Sequence, residues 1–281
     1  MLRREFLLTS AAASLAYLAP ELDAPPLKVG HRQTQLVKAP GPEVFQVAKS
    51  IAGLSGVELQ VIWKGHDLTD HAIALEYKRE AYRWAMELPS ISGVWRPGEV
   101  ITDTVHAEQV LLNALGVAQI LGASVILVAL FEPNCPKMDD EASYGPVVRL
   151  LKKLGPRAAD AGVTFGLETS LAPADDKKLI TLVDHPNVRV YYDARNVEKY
   201  HPGQSLAGID LLAPYIVQVH LKNEDRLLNQ APSAVDWTAA LKAYKRIHYS
   251  GWYFLETEHT SAHQCIDATE KNLAFIRATL A

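Results

Sequence analysis

From Leu27 onward, short apolar runs alternate with longer stretches in which apolar residues recur at three- and four-residue spacing. The short runs predict strands and the longer ones helices. Read in order, the strands are LKVGHRQT (27–34), GVELQVIW (56–63), ISGVW (91–95), SVILVALF (124–131), VTFGLE (163–168), VRVYYD (188–193), YIVQVHLK (215–222) and WYFLE (252–256). Between and after them lie helical patterns at 42–54, 72–88, 102–122, 144–162, 174–185, 205–214, 236–247 and 262–281. Asp103 or Thr104 is placed to cap the third of these and Gly122 to end it. SVILVALF has the unbroken β-branched character of a parallel strand covered on both faces.

Strands separated by helices imply right-handed crossovers and a parallel sheet. Eight such units fit the about 250 residues of a closed (β/α)₈ barrel. The competing fold, an open doubly wound sheet, would lean on a glycine-rich phosphate loop after its first strand. VGHRQTQ has a single glycine there, and neither G-x-G-x-x-G nor a P-loop occurs in the chain. The expectation is a single (β/α)₈ TIM barrel over residues 26–281.

Residues 1–25 break the pattern. MLRREFLLTSAAASLAYLAP carries an arginine pair, Arg3-Arg4, then a short apolar run and a small-residue stretch. This is the layout of an export signal, too short to span a membrane comfortably. The arginine pair followed by EFL resembles the twin-arginine type, although Leu2 stands where a polar residue usually precedes the pair. Ser14-Leu15-Ala16 offers a cleavage site. The expected localisation is therefore export, to the periplasm by the twin-arginine route, with membrane contact only through this segment.

Composition narrows the function classes. A net charge of −4 without a basic stripe argues against a nucleic-acid partner. Two cysteines, Cys135 and Cys265, supply neither a disulfide framework nor a zinc cluster and read as core thiols. Oligomerisation is left open.

In a barrel of this kind the chemistry sits at the C-terminal ends of the strands. Strand five ends at Glu168, strand six at Asp193, strand seven carries His220 near its end, and strand eight ends at Glu256. Alternation along each strand assigns faces. Val163, Phe165 and Leu167 oppose Glu168; Val217, Val219 and Leu221 oppose His220; Tyr253 and Leu255 oppose Glu256. The apolar face of each strand meets the helices, which turns the four polar residues into the mouth. Three carboxylates in a confined mouth repel one another unless a cation sits between them. Two Glu, one Asp and one His suit one divalent ion, Mn²⁺ first, with Mg²⁺, Co²⁺ or Zn²⁺ as alternatives.

The motifs GLE, YYDARN, VHLKNEDR and FLETE, in this order on strands five to eight, resemble the xylose-isomerase-like TIM-barrel superfamily, which includes the sugar phosphate isomerases and epimerases. The resemblance covers nearly the whole chain after the signal segment. In its ketose 3-epimerase branch, a single Mn²⁺-like ion is held at the four strand ends that correspond to Glu168, Asp193, His220 and Glu256. The resemblance also implies that Arg226, six residues after His220, contacts substrate. Asn196 stands where that branch often has a histidine, which removes one imidazole from the substrate side. An endonuclease-like trinuclear zinc site is disfavoured, because the extra histidines it needs are not in matching motifs.

The expected chemistry is proton abstraction next to a carbonyl, passing through an enediolate, with Glu168 and Glu256 as the two proton carriers on opposite faces of the substrate. Return to the same carbon is epimerisation and return to the neighbour is isomerisation. Expulsion of a β-substituent would make the same site a dehydratase or lyase on a keto-sugar or inosose. The third alternative is a carbohydrate-binding barrel without turnover. Export favours a small, unphosphorylated sugar or sugar derivative as partner. Further candidate pocket residues are His31 and Arg32 after strand one, Trp63 and His66 after strand two, Trp95 after strand three and Glu132 after strand four. Lys222, the next inward position after His220, either forms a rim ion pair with Glu258 or acts on the substrate.

Overall fold

A computed structural model describes residues 27–281 of the chain; the expected export segment lies outside them. Eight parallel strands close into a barrel: β1 Val29–Arg32, β2 Gly56–Gln60, β3 Ser90–Ser92, β4 Val125–Leu130, β5 Thr164–Thr169, β6 Val188–Asp193, β7 Ile216–Leu221 and β8 Tyr253–Leu255. Each strand pairs with its neighbours in sequence, and β1 closes the ring against β8, with Gly30 opposite both Gly56 and Phe254. This is the TIM barrel expected from the alternating pattern. The main core lies between the outward faces of the strands and the surrounding helices, where Val57, Leu59, Phe165, Leu167, Val219 and Leu255 are buried.

The predicted elements differ from the observed ones mainly at strand ends. GVELQVIW does not run on as one strand. The barrel strand stops at Gln60, and Ile62–Trp63 pairs antiparallel with His66–Asp67 in a small ribbon. Lys64 and Gly65, with φ of 47° and 86°, form its two-residue loop, the double positive-φ geometry that turns a hairpin tightly. Likewise ISGVW contributes only Ile91 and Ser92 to the strand Ser90–Ser92, because Gly93 at φ 61° turns the chain away. A helix, Ala194–Tyr200, begins directly after β6 where no element was expected. Asp193 caps it, accepting from the amides of Arg195 and Asn196 at 2.8 and 3.0 Å. Both cysteines are free and buried.

The turn from β5 into the helix Pro173–Val183 carries a buried carboxyl. Thr169 Oγ1 donates to Asp176 Oδ1 at 2.7 Å, and burial pushes the Asp176 carboxyl up to about 7. A folded value above the unfolded one means that stability is fully present below about pH 4. It is lost as pH rises through 7. Asp176→Asn should remove that loss: its stability relative to the wild type should rise by a few kcal/mol, at most about 4, between pH 4 and pH 8. Chemical denaturation at both pH values measures it, and an unchanged difference would contradict the assignment.

Candidate functional site

Alternation along the strands sends Arg32, Glu58, Gln60, Ser90, Ser92, Glu168, Asp193, His220 and Glu256 toward the barrel axis. At the bottom of the interior, Gly30 and Gly56 make room for two rings. A Cβ at Gly30 would lie 2.3 Å from the Phe254 ring and one at Gly56 2.5 Å from Trp252. The middle layer is polar. Glu58 accepts hydrogen bonds from Tyr191 Oη at 2.7 Å and Ser90 Oγ at 2.8 Å, and Gln218 donates to both of those hydroxyls. Above it stands the mouth.

There Glu168, Asp193, His220 and Glu256 each offer a ligand atom, and the four atoms lie within 4.8 Å of one another. His220 is fully buried and held on both sides. Its Nε2 is 3.2 Å from Glu58 Oε1, while Nδ1 faces Glu168 Oε1 at 3.3 Å and Glu256 Oε2 at 3.4 Å. Glu58 is ionised, so Nε2 carries a hydrogen toward it and Nδ1 is the nitrogen turned to the cluster. Asp193 is oriented by its helix. Oδ1 caps the amides, and Oδ2 is buried and receives no hydrogen bond. Lys222 Nζ does approach Asp193 Oδ2 at 2.7 Å, as a charge contact off the hydrogen-bonding line. A buried carboxylate oxygen whose close partner is a displaceable ammonium, beside two more carboxylates and a fixed imidazole, is a donor set that fits a hard or borderline divalent ion.

Two cations from the chain neutralise part of this charge. The Arg32 guanidinium contacts Glu256 Oε1, lies 3.2 Å from Glu58 Oε1 and reaches Gln60 Oε1 at 3.1 Å. Lys222 Nζ bridges Asp193 Oδ2 and Glu256 Oε2 at 2.7 and 2.9 Å. The local charges split the carboxyls. Burial alone would raise Glu58, but the facing His220 and Arg32 hold it below the usual carboxylate range. Against the same burial, Arg32, His220 and Lys222 hold Glu256 far below that range. For Glu168 burial prevails over His220 and its value is raised. Burial would lower His220, but Glu256, Glu58 and Glu168 push it up to about 10.

The mouth is a cavity of about 320 Å³, with Glu168, Glu256, Lys222, Arg32, Gln60 and Asn196 among its polar lining. One wall is aromatic: Phe131 and Tyr200 stack with ring centroids 6.2 Å apart, and Lys199 Nζ lies 5.0 Å from the Tyr200 ring.

The family model for the xylose isomerase-like TIM barrel matches residues 45–279. The chain belongs to this family. Among solved structures it is similar to a xylose isomerase domain protein from Planctomyces limnophilus, at 16% identity and a TM-score of 0.71, covering 91% of this chain and 97% of the other. It is similar to 3-keto-D-glucoside 4-epimerase from E. coli, at 16% identity and a TM-score of 0.71, covering 90% and 100%. D-psicose 3-epimerase from Clostridium cellulolyticum H10, determined with D-tagatose, gives 14% identity and a TM-score of 0.75, covering 90% and 99%. At these identities the likeness is one of fold. No curated protein matches the sequence.

Within this family barrel, the residues expected at the mouth divide into two groups. Glu168, Asp193, His220 and Glu256 come together. Asn196 and Lys222 line the cavity, and Asn196 Nδ2 donates to Glu168 Oε1 at 2.9 Å. Lys222 does not form the expected rim pair with Glu258; its ammonium reaches down to Asp193 and Glu256. His31 does not enter the mouth. Its neighbour Arg32 takes the inward phase, so His31 points outward, fully buried, with Nε2 3.9 Å from Cys265 Sγ. Burial drives the His31 imidazole down to about 3, which keeps it neutral.

Five other candidates lie outside the residues that line the cavity. Trp63 and His66 are carried off in the ribbon, and Trp63 has Lys64 Nζ 5.3 Å from its ring. Trp95 donates its indole N–H to the Ala129 carbonyl at 3.0 Å. Glu132 is exposed, one residue past Phe131, which takes the mouth position. Arg226 is half-buried in the loop after β7, its amide donating to the Asn223 carbonyl at 2.9 Å. Sequence reasoning missed Glu58, Gln60, Phe131, Lys199 and Tyr200. For Glu58 and Gln60 a signal existed: two polar residues alternate with Val57 and Leu59 inside an otherwise apolar strand.

Proposed function

We propose that the protein is a divalent-metal-dependent sugar isomerase or epimerase that moves a proton on a carbon next to a carbonyl. The reading rests on one observation, the convergence of Glu168, Asp193, His220 and Glu256 at the base of a cavity of about 320 Å³. A divalent ion held by these four residues, Mn²⁺ before Mg²⁺, Co²⁺ or Zn²⁺, would supply Lewis acidity that polarises a substrate carbonyl.

The chain's own groups do the rest. Glu168 and Glu256 are the two carboxylates that border the cavity, on strands β5 and β8. One removes the proton beside the carbonyl and the other returns one. Asn196 steadies Glu168 and Arg32 steadies Glu256, so each carboxylate has a fixed orientation before substrate arrives. The stacked Phe131 and Tyr200 offer an apolar face for the C–H side of a sugar ring. Gln60, Asn196 and Lys222 offer partners for hydroxyl and carbonyl oxygens. The fold relatives named for acting on a 3-keto-D-glucoside and on D-psicose support a keto-sugar as the substrate class.

Proton exchange in D₂O tests this. The Mn²⁺-loaded protein, offered a panel of ketoses, inososes and 3-keto-sugars, should incorporate deuterium at one carbon of one of them. Chelation with EDTA should stop the exchange and added Mn²⁺ restore it. A loaded protein that binds a sugar of the panel yet exchanges no proton on any would instead be a carbohydrate-binding barrel without turnover.

A further inference from the structure

Lys222 touches two of the four cluster residues, and the atoms it touches are specific. Asp193 Oδ1 is committed to the amides of Arg195 and Asn196, which leaves Oδ2 as the oxygen turned to the cluster; Lys222 Nζ lies 2.7 Å from Oδ2. Glu256 Oε1 is committed to Arg32, while Oε2 faces His220 Nδ1 at 3.4 Å; Lys222 Nζ lies 2.9 Å from Oε2. The ammonium therefore sits on the two carboxylate oxygens that a bound ion would need. Arg32, which also contacts Glu256, sits on the outer oxygen Oε1 and not on the inner one.

We propose that Lys222 is the resident counter-cation of this carboxylate cage, and that a divalent ion enters only by displacing its ammonium from Asp193 and Glu256. The proposal rests on the metal-site reading above. Its physical basis is charge balance. Among the described residues, four carboxylates, Glu58, Glu168, Asp193 and Glu256, meet two permanent cations, Arg32 and Lys222, and the His220 imidazole, which contacts Glu58, Glu168 and Glu256. Without Lys222 the buried Oδ2 of Asp193 would lose its charge partner and Glu256 Oε2 would keep only the His220 imidazole, an arrangement that is costly in a buried site. A lysine suits the task better than an arginine. Its ammonium is a compact charge on a flexible stem, able to occupy the cage and withdraw.

Withdrawal has somewhere to go. The Lys222 side chain is about one fifth exposed and already lines the mouth cavity. Displaced from the cage, the ammonium becomes a free donor in the volume assigned to substrate. Loading of the cage and readiness of this donor are then one event.

The test is a Mn²⁺ titration of the full chain, read by the electron paramagnetic resonance signal of free Mn²⁺ and by thermal unfolding with and without the ion. Lys222→Met removes the charge and keeps the stem. It should bind Mn²⁺ at least about tenfold more tightly than the wild type, because the competitor is gone. Its metal-free form should melt lower, and Mn²⁺ should raise its melting temperature by more. Lys222→Gln serves where the Met variant does not fold without metal, with the same expectation for affinity. Lys222→Arg keeps the charge and should stay near the wild-type affinity. Equal or weaker Mn²⁺ binding in both neutral variants, with a wild type that does bind, overturns this proposal and leaves the metal-site reading standing. Mn²⁺ binding to neither the wild type nor the neutral variants overturns both.

Discussion

Glu168→Gln and Glu256→Gln should each lower turnover by about 10²–10⁴-fold at saturating Mn²⁺, the usual worth of a positioned proton carrier. The more telling outcome is how the two variants fail. If the substrate is epimerised, one carboxylate removes the proton from one face and the other delivers a proton to the opposite face. A variant that keeps only the removing carboxylate can still take a proton, exchange it with solvent and return deuterium to the same face. It should show exchange in D₂O without inversion. The variant that lacks the removing carboxylate should show neither. Starting from the opposite epimer, the two variants should trade behaviours. Substitution by Gln preserves volume, and Asn196 still meets an amide oxygen at position 168, so the pocket's shape is retained. Full inversion by either variant, at a rate near the wild type, would rule out the two-carboxylate mechanism.

The barrel was legible because its evidence is repetitive. Eight apolar runs of strand length, each followed by a helical pattern, leave few topologies to consider. The four-residue cluster was legible for a related reason. On β5 and β7 a short apolar run fixes the phase, and Glu168 and His220 break it on the inward side. Glu256 follows β8 in the same manner. The failures occurred where phase or path was not fixed locally. At His31-Arg32, either residue can be read as the inward one from composition. The four-residue strand contains Gly30, which has no side chain to set the alternation, and only closure against Phe254 and Gly56 decides it. Trp63 left the barrel because Lys64 and Gly65 both take positive φ, and a Lys-Gly pair is a weak written signal for that turn. Lys222 was assigned to the right strand face, but of its two expected roles the rim pair with Glu258 does not form. Strand phase fixes where a Cα–Cβ bond points, whereas a lysine stem reaches down as readily as outward, and the deeper charges decided its course. Glu58 escaped notice for a different reason. It lies in the middle of β2 rather than at its end, below the layer where barrel chemistry is normally sought.

Glu58 is nonetheless expected to carry the largest stability effect of any single residue near the site. It is fully buried and is the common acceptor for four groups: Tyr191 Oη, Ser90 Oγ, His220 Nε2 and the Arg32 guanidinium. Glu58→Ala would leave one permanent cation and three polar groups in the barrel interior without their acceptor. Breaking a buried charge pair from one side costs about 3–5 kcal/mol, and loss of that order is expected here in the metal-free protein. The effect should reach the metal as well. Glu58 fixes the His220 ring with Nδ1 toward the cluster, and removal of such a carboxylate behind a ligating imidazole lowers metal affinity by about 10–100-fold. Glu58→Gln separates charge from volume. Its amide keeps the shape, yet its NH₂ must face at least one of four groups that also donate, so the layer cannot be satisfied in full. It should therefore fall between the wild type and the Ala variant in both stability and Mn²⁺ affinity. Denaturant unfolding and a Mn²⁺ titration measure the two effects separately. A Gln variant with wild-type values in both would mean that Glu58 acts through volume alone, and that the imidazole is held by the tilted contact with the Tyr191 ring, 4.5 Å between centroids, rather than by the carboxylate beneath it.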